Sequence, residues 1–300
     1  NLDYVGAVEL LAKRAGIAIP EQARPDQAPS GVKKTRIVEI NREAARFFHA
    51  QLLNSPEAKD YLAQRGLTMP IIKHFGLGYA PDSFNAMQLH LTGLGYTVEE
   101  LTAAFLCGIS AKTGRPYDYF RGRIIFPIID VSGDVVAFGG RALGDGMPKY
   151  LNSSDTPAFK KSRTLFALNF ARHSCAERLI LCEGYMDVIA YHQAGIQNAV
   201  ALLGTALTEE QVKLIQPFIE TIFLSLDSDN AGIQATLKSI IVCRKADITV
   251  KVISFKEGKD PADILLNNGV EALTRSVESA IIDVDYLLSF LAKEYNTDTP

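Results

Sequence analysis

The sequence RLILCEGYMD at residues 178–187 is an apolar run that ends in two carboxylates. Two later segments share this design: residues 222–229 are IFLSLDSD, and residues 250–263 are VKVISFKEGKDPAD. Continuous Val, Ile and Leu runs are typical of parallel strands buried on both faces, and ligands bind beyond the carboxyl ends of such strands. The sequence therefore predicts a parallel α/β sheet with acidic residues along one edge, namely Glu183, Asp187, Asp227, Asp229, Asp260 and Asp263.

Carboxylates that crowd one sheet edge repel one another unless a cation neutralises them. Ligands that are all oxygen suit Mg²⁺ or Mn²⁺, so the pattern predicts a divalent-metal site that acts on phosphates. Each acidic segment also has a simpler explanation, because acids cap and stabilise the N-terminus of a following helix. Three such segments in one module favour the metal site over three independent caps. An EF-hand starting at Asp227 is excluded, since its fifth and twelfth positions are Ala231 and Lys238.

Apolar runs alternate with helical periodicity between residues 178 and 255. Strands are predicted at 178–182, 198–203, 219–226 and 248–255. Helices are predicted at 185–194, 208–217 and 231–245. This alternation is typical of a compact parallel sheet with helices on both faces.

The preceding residues predict a different architecture, because residues 1 to about 108 are mostly helical in pattern. Helices are predicted at 2–18, 37–53, 56–66, 84–91 and 98–105. Residues 123–140 alternate apolar runs with a Ser-Gly-Asp turn and predict a β-hairpin. The predicted fold class is therefore α/β, mixed α+β overall, with a helical and basic N-terminal subdomain, a central parallel α/β sheet and a C-terminal helical segment.

These patterns divide the chain into four predicted segments. They are a leading helix with a Pro-rich linker at 1–36, a helical and basic α/β subdomain at 37–174, a metal-binding subdomain at 175–270, and the start of a C-terminal helical subdomain at 271–300. The chain begins at Asn1 in the middle of a helical pattern. We therefore expect it to be a fragment of a longer protein.

Charge is distributed unevenly along the 300 residues, whose net charge is −3. Residues 112–172 contain 10 Lys and Arg against 5 Asp and Glu, whereas the acidic segments follow Glu183. A basic half beside an acidic half suits a polymerase-like site, in which one half holds phosphates and the other holds metals. The four cysteines lack zinc-site spacing, and apolar runs fall below the roughly 20 residues that span a bilayer. A cytoplasmic protein with reduced thiols and no membrane partner is expected.

Residues 112–172, which we call the basic region, contain glycines and aromatic residues among their cations. Gly139 and Gly140 would let the backbone approach a phosphate, with Arg141 adding a planar charged fork. The aromatic residues suit stacking against single-stranded bases, or equally the hydrophobic core, and they are Tyr150, Phe159 and Phe166.

The motifs together resemble a known family. EGYMD at 183–187, DSD at 227–229 and the later Asp260-Pro261 resemble the Toprim module that primases, topoisomerases and some nucleases share. The upstream segments YLAQRGLT, RGRIIFPIID, FGGRALG, PKYLNSS and FKKSRTLFAL resemble the catalytic core of bacterial DnaG-type replicative primases. The resemblance covers nearly the whole chain.

The resemblance implies template-directed synthesis of short RNA primers from ribonucleoside triphosphates on single-stranded DNA during replication. Glu183, Asp227 and Asp229 would be catalytic, and two or more Mg²⁺ or Mn²⁺ ions would be held by all six acids named above. Nucleic-acid and nucleotide contacts are implied for Arg65, Arg121, Arg123, Arg141, Lys149, Asn152 and Lys161. Many relatives have Asp-Pro-Asp where this chain has Ala262, so Asp263 either reaches the metal by a shift or caps the helix.

The resemblance also implies partners. The family has a zinc-binding domain and a helicase-interacting domain that this sequence does not match, so the replicative helicase is expected to bind through a domain absent here, at the replication fork. Two alternative functions stay open. A topoisomerase or nuclease would use the acidic module to break DNA, and a non-catalytic recombination scaffold would bind DNA without turnover.

Overall fold

The computed structural model describes residues 31–144, 146–227, 229–255 and 258–294. The predicted helix at 2–18 and most of the Pro-rich linker lie outside these residues. All statements below concern the described part of the chain.

The first part of the chain is mainly helical, as predicted. Ile37, Ile40, Ala44 and Phe48 lie on one buried stripe of the first helix, which explains its amphipathic pattern. Ser55 and Thr97 accept hydrogen bonds from the backbone at the starts of the second and fifth helices. The helices are Lys34–Asn54, Pro56–Gln64, Met69–His74, Ala86–Gly93 and Val98–Ala103.

An antiparallel sheet follows, and it contains the predicted hairpin. Its strands are β1 (Gly78–Ala80), β4 (Arg123–Ile129), β5 (Val135–Ala142) and β6 (Tyr150–Asn152), in the order β1-β4-β5-β6. A separate two-stranded ribbon consists of β2 (Cys107–Ile109) and β3 (Pro116–Asp118). Strand β1 was not predicted, because its three residues form a strand only through their pairing with β4. Short helical turns at Lys161–Arg163 and Leu168–Ala171 lead to the second sheet.

The predicted parallel sheet is confirmed. It is formed by β7 (Glu177–Cys182), β8 (Ala199–Ala201), β9 (Ile219–Ser225) and β10 (Thr249–Val252), with β11 (Ile281–Ile282) as an antiparallel addition. The strand order is β11-β10-β9-β7-β8. The connecting helices are Tyr185–Gln193, Glu209–Ile215 with the turn Gln216–Phe218, and Asn230–Arg244. The chain ends in the helices Pro261–Glu278, which is kinked at Gly269, and Asp283–Glu294.

Side chains on both faces of the central strands β7 and β9 are buried, which explains their continuous apolar runs. Ile180 and Cys182 of β7 lie in the core that the parallel sheet shares with the antiparallel sheet. Leu179 and Leu181 alternate with them and lie in a second core on the opposite face. A third core joins the Lys34–Asn54 helix to the antiparallel sheet. The two sheets therefore meet through the face of β7 that precedes the acidic segment. No helix in the described ranges is both long and apolar enough to cross a membrane.

Candidate active site

The predicted acidic residues lie where the parallel strands end. Glu183 follows β7 directly, and Asp227 lies two residues beyond β9. The backbone N–H of Asp227 is 3.4 Å from Glu183 Oε1, so these two strand ends are in contact. Asp229 and Asp260 precede helices, and their Oδ1 atoms accept bonds from Gly232 N at 2.8 Å and Asp263 N at 2.7 Å. Both therefore cap helices, and each keeps its second carboxylate oxygen for other partners.

A glycine allows the second acidic segment to fold this tightly. A Cβ atom added to Gly232 would lie 2.0 Å from the carbonyl oxygen of Asp227. Any larger residue would push the start of the Asn230–Arg244 helix away from the end of β9. The glycine after DSDNA thus keeps Asp227 and Asp229 within one tight turn.

The acids from different strand ends affect one another electrostatically. Burial raises the pKa of Asp187 to about 8, and the nearby charges of Asp260 and Asp227 add to the rise, against a backbone N–H bond from Gly184. Burial raises the pKa of Glu183, and the charge of Asp227 adds to this. Burial also raises the pKa of Asp227, with Asp229 and Asp260 adding to the rise and Lys149 opposing it. Five of the predicted acids therefore share one electrostatic neighbourhood, which we call the acidic edge: Glu183, Asp187, Asp227, Asp229 and Asp260.

The Asp263 carboxylate makes its hydrogen bonds within its own segment of the chain. One of its oxygens accepts a bond from the backbone of Lys259 at 3.1 Å, and the other accepts from the Asn267 amide at 2.7 Å. Both partners belong to its own segment, so the carboxylate holds the start of the Pro261–Glu278 helix together. These contacts show the helix-stabilising role of Asp263, and its role as a metal ligand stays a prediction.

The acidic edge has the chemistry of a site for hard cations, but its side chains do not converge on one position at which they could coordinate a metal ion. Its ligands are all oxygen, and their mutual repulsion is what a divalent ion would relieve. Among the described residues, no three His, Cys, Asp or Glu side chains are grouped tightly enough to hold a metal ion. The residues therefore fit the ions in chemistry, and side-chain rotation would be needed to complete their coordination.

Two cations on or next to the antiparallel sheet lie near the acidic edge, and a third follows the Pro56–Gln64 helix. Lys149 is exposed and close enough to Asp227 to affect its pKa. Arg141 is buried, and its guanidinium lies 5.7 Å from the Tyr61 ring and 5.4 Å from the Tyr150 ring. It donates to the Tyr150 hydroxyl at 3.0 Å, while its Nε is buried without a hydrogen-bond partner in the described structure. Arg65 is exposed and lies 5.5 Å from the same Tyr61 ring.

Two predicted contact residues are engaged inside the protein. Arg123 is buried and donates to the carbonyl oxygens of Gly140 at 3.4 Å and Pro148 at 2.8 Å. Burial lowers the pKa of its guanidinium, and the charge of Arg121 adds to this. The Asn152 amide is bonded on both of its polar atoms, as described below. Lys161 begins a short helical turn, and its own backbone N–H donates to Asp155 Oδ1 at 3.0 Å.

The structure shows a packing role for the glycines of the basic region, and it places two of the three aromatic residues considered for base stacking in the core. A Cβ on Gly139 would lie 2.4 Å from the Tyr185 ring, and one on Gly140 would lie 2.8 Å from the Phe120 ring. These glycines make room for aromatic side chains of the protein, and an approach of their backbone to a phosphate stays a prediction. Phe159 and Phe166 are each 2% exposed and belong to the core.

One exposed aromatic residue was missed by the sequence analysis. Phe84 is 71% exposed, and the Arg121 guanidinium lies 4.6 Å from its ring. Tyr117 contacts the same guanidinium from 5.6 Å. Such a cation between aromatic faces suits base stacking. The sequence gives little sign of it, because Phe84 begins a helical pattern and its exposure depends on distant residues.

Comparisons with known proteins agree with this architecture. Residues 47–172 match the family described as DNA primase catalytic core, N-terminal domain, and residues 180–265 match the family described as Toprim-like. The DNA primase of Clostridium acetobutylicum is 41% identical over 96% of this chain and 48% of its own length. The DNA primase of Deinococcus radiodurans is 39% identical over 100% of this chain and 52% of its own length. The chain thus spans about half the length of these relatives.

Solved structures agree as well. A DNA primase domain from Pseudomonas aeruginosa superposes with a TM-score of 0.79 at 36% identity, covering 86% of this chain and 83% of that one. A DnaG primase catalytic domain bound to single-stranded DNA gives 0.78 at 31% identity, covering 87% and 84%. Both sheets, the acidic edge and the adjoining cations occur here on a chain that matches these domains over most of their length. The chain belongs to the family of DnaG-type primase catalytic cores.

Proposed function

We propose that this chain is the core in which a primase synthesises short RNA primers from ribonucleoside triphosphates on a single-stranded DNA template. The observation that carries the proposal is the contact between the ends of β7 and β9, where Asp227 N lies 3.4 Å from Glu183 Oε1. This contact brings the ends of two acid-bearing strands together, and Lys149 of the basic region is close enough to Asp227 to affect its pKa. Relatives named DNA primase, and a neighbour bound to single-stranded DNA, support the choice of reaction.

The acidic edge would hold two or more Mg²⁺ or Mn²⁺ ions through Glu183, Asp187, Asp227, Asp229 and Asp260. Asp263 would contribute by holding the helix start, since both of its oxygens are already bonded. The ions, when bound, would supply the positive charge that activates the primer 3′-hydroxyl and neutralises the triphosphate. Asp229 and Asp260 orient their helices by capping them and would each present their remaining oxygen.

The basic residues would hold the phosphate groups. Arg65 and Lys149 are exposed, and Arg121 is partly exposed beside Phe84, so all three could contact a DNA or RNA backbone. Arg141, whose buried Nε has no hydrogen-bond partner among the described residues, would bind a negatively charged substrate group. Arg123 would act indirectly, by bonding the carbonyl next to Lys149. Lys161 and contact with a replicative helicase stay predictions.

The test is RNA synthesis on single-stranded DNA with labelled ribonucleotides and Mg²⁺ or Mn²⁺. Asp227→Asn keeps the side-chain shape but removes a charge at the acidic edge, so we expect it to lose at least about 100-fold in synthesis. Asp247→Asn is the matched control. Asp247 is exposed just before β10, at the opposite end of the sheet, and should leave synthesis unchanged.

Other outcomes would favour the alternative functions. Equal synthesis by wild type and Asp227→Asn would overturn the proposed role of the acidic edge. DNA nicking with metal ions and without nucleotides would indicate a topoisomerase or nuclease. DNA binding without any turnover, and insensitive to Asp227→Asn, would indicate a scaffold.

A further inference from the structure

The acidic edge is joined to the antiparallel sheet by one tyrosine. Tyr185 lies between Glu183 and Asp187 in sequence, is 3% exposed, and begins the helix that follows β7. Its hydroxyl donates to Asn152 Oδ1 at 2.7 Å. The Asn152 amide in turn donates to the carbonyl oxygen of Leu203, just beyond β8, at 3.0 Å. A residue of β6 is therefore bonded to the ends of two strands of the parallel sheet.

The surroundings of the Tyr185 ring fix its position. The ring stacks on Phe126 of β4, with centroids 4.8 Å apart and planes 8° apart, and Phe166 meets it edge-on at 4.8 Å. Gly139 lies against the ring, where a Cβ would come within 2.4 Å. Gly139 is also the register partner of Asn152 in the antiparallel sheet. The ring and its hydroxyl thus contact neighbouring residues of β5 and β6 at once.

Strand β6 also positions the cations nearest the acids. Tyr150 lies two residues before Asn152, on the same face of the strand, and bonds Arg141 at 3.0 Å. Lys149 precedes the strand, and its carbonyl accepts a bond from Ala142 of β5 at 3.0 Å. A movement of Asn152 would therefore shift Tyr150, Arg141 and Lys149 relative to the acidic edge.

From this geometry we infer that Tyr185 and Asn152 form a positioning contact that sets the separation between the acidic edge and the cations of the antiparallel sheet. Asn152 is then a positioning residue and not a nucleotide contact, because its carbonyl oxygen and its amide group are each already bonded inside the protein. The inference rests on the proposed function, since it concerns the alignment of the two halves during primer synthesis.

The first experiment compares Tyr185→Phe with Tyr191→Phe. Both variants keep an aromatic ring in the same helix and lose one buried hydroxyl, since Tyr191 is 0% exposed and bonds Ser225 Oγ at 3.0 Å. In the described structure, the Tyr191 hydroxyl makes no hydrogen bond to the antiparallel sheet. We expect Tyr185→Phe to lower the kcat of primer synthesis about tenfold or more, with little change in the KM for nucleotides, because small misplacements of reacting groups are costly. Tyr191→Phe should stay within about twofold of wild type.

The second experiment adds Asn152→Ala and the double variant. If the two side chains act through one contact, the double variant should be no slower than the slower single variant. A nucleotide contact by Asn152 would instead raise the KM in Asn152→Ala alone, and the two losses would multiply in the double variant. Thermal unfolding of all variants shows whether stability follows the same order as kcat, which a purely structural role requires.

Each outcome is decisive. Equal loss of kcat in Tyr185→Phe and Tyr191→Phe, or multiplied losses in the double variant, would overturn the positioning contact while the proposed function stands. Failure of the wild-type chain to synthesise primers would overturn the proposed function and this inference with it. A kcat loss confined to Tyr185→Phe and Asn152→Ala, shared in the double variant, is the result we expect.

Discussion

Asp187 shows how burial and neighbouring charge act together on one residue. Burial raises the pKa of its carboxyl group from 3.8 to about 8, and the charges of Asp260 and Asp227 contribute. Without cations, the folded protein therefore holds a proton on Asp187 at a pH at which the unfolded chain has released it. Folding takes up this proton between about pH 4 and pH 8, so Asp187 favours the folded state below that window.

The pH dependence of stability follows from this. In the presence of a chelator, the contribution of Asp187 to the free energy of unfolding should be complete below about pH 4 and should be lost as the pH rises through about 8. Asp187→Asn removes the titrating group, so its stability should decline less than that of wild type over this range. Urea unfolding of both proteins at pH 5, 7 and 9 measures the difference. Parallel profiles for the two proteins would contradict the raised pKa.

The positions of some site residues could be predicted from the sequence, whereas the contacts of others could not. The acids at 183, 227 and 260 were predictable because each follows its own apolar run, so only nearby residues were needed. The internal roles of Arg123 and Asn152 were not predictable. Arg123 bonds a carbonyl at residue 148, and Asn152 bonds residues 185 and 203, so these contacts exist only once the sheets have assembled.

At the scale of elements, the turn from β9 into the next helix brings a helix start directly against a strand end at the acidic edge. Gly232 lets the Asn230–Arg244 helix start directly against the carbonyl of Asp227. The cap from Asp229 completes the same turn. The end of β9, the Asp229 cap and the start of the helix are therefore in direct contact. A small shift of the helix start would move both Asp227 and Asp229.

A methyl group at this glycine should disrupt that unit. Gly232→Ala should destabilise the fold by about 1–3 kcal/mol or more, because a Cβ 2.0 Å from a backbone oxygen forces the helix outward. Primer synthesis should fall further than the lost stability explains. Gly93→Ala is the control, since a Cβ there meets nothing within 4 Å, and it should stabilise by a few tenths to about 1 kcal/mol. Chemical unfolding measures both, and equal effects would show that the close approach is not specific.

Elements were predictable to different degrees for a physical reason. Strands β7 and β9 are buried on both faces and therefore have long apolar runs that the sequence displays, whereas β10 buries only Val250 and Val252, on one face. Strand β11 has two residues, which the helical pattern around them conceals, and it exists through pairing with Lys251 and Val252. The predicted boundary at 271 stays a prediction, although residues 281–282 add to the parallel sheet.

At the scale of the molecule, charge is divided between the two sheets. The net charge is −3, yet the antiparallel sheet and the loops around it carry the basic surplus of residues 112–172. Binding of a nucleic acid should therefore depend on local charge and not on the net value.

Salt titration tests this distribution. Affinity for a labelled single-stranded oligodeoxynucleotide, measured by fluorescence anisotropy, should fall steeply with salt because bound cations are released from the DNA. Arg65→Gln should weaken binding and reduce the slope of log affinity against log salt by about 0.7, the value for one lost phosphate contact. Lys238→Gln removes an exposed cation from the Asn230–Arg244 helix and should change neither quantity. Identical slopes for wild type and Arg65→Gln would exclude a phosphate contact at Arg65.

The two lateral edges of the parallel sheet have a consequence for the behaviour of the protein at high concentration. On one side, Ile281–Ile282 runs against β10 and offers a ladder of only two residues. On the other side, the backbone of Phe166 exchanges hydrogen bonds with Ala201 of β8 at 2.9 and 3.1 Å. A long unpaired strand is a template on which another chain can add and aggregate. In the described residues one edge is too short and the other is partly paired, so we expect backbone pairing at these edges to limit self-association of the parallel sheet.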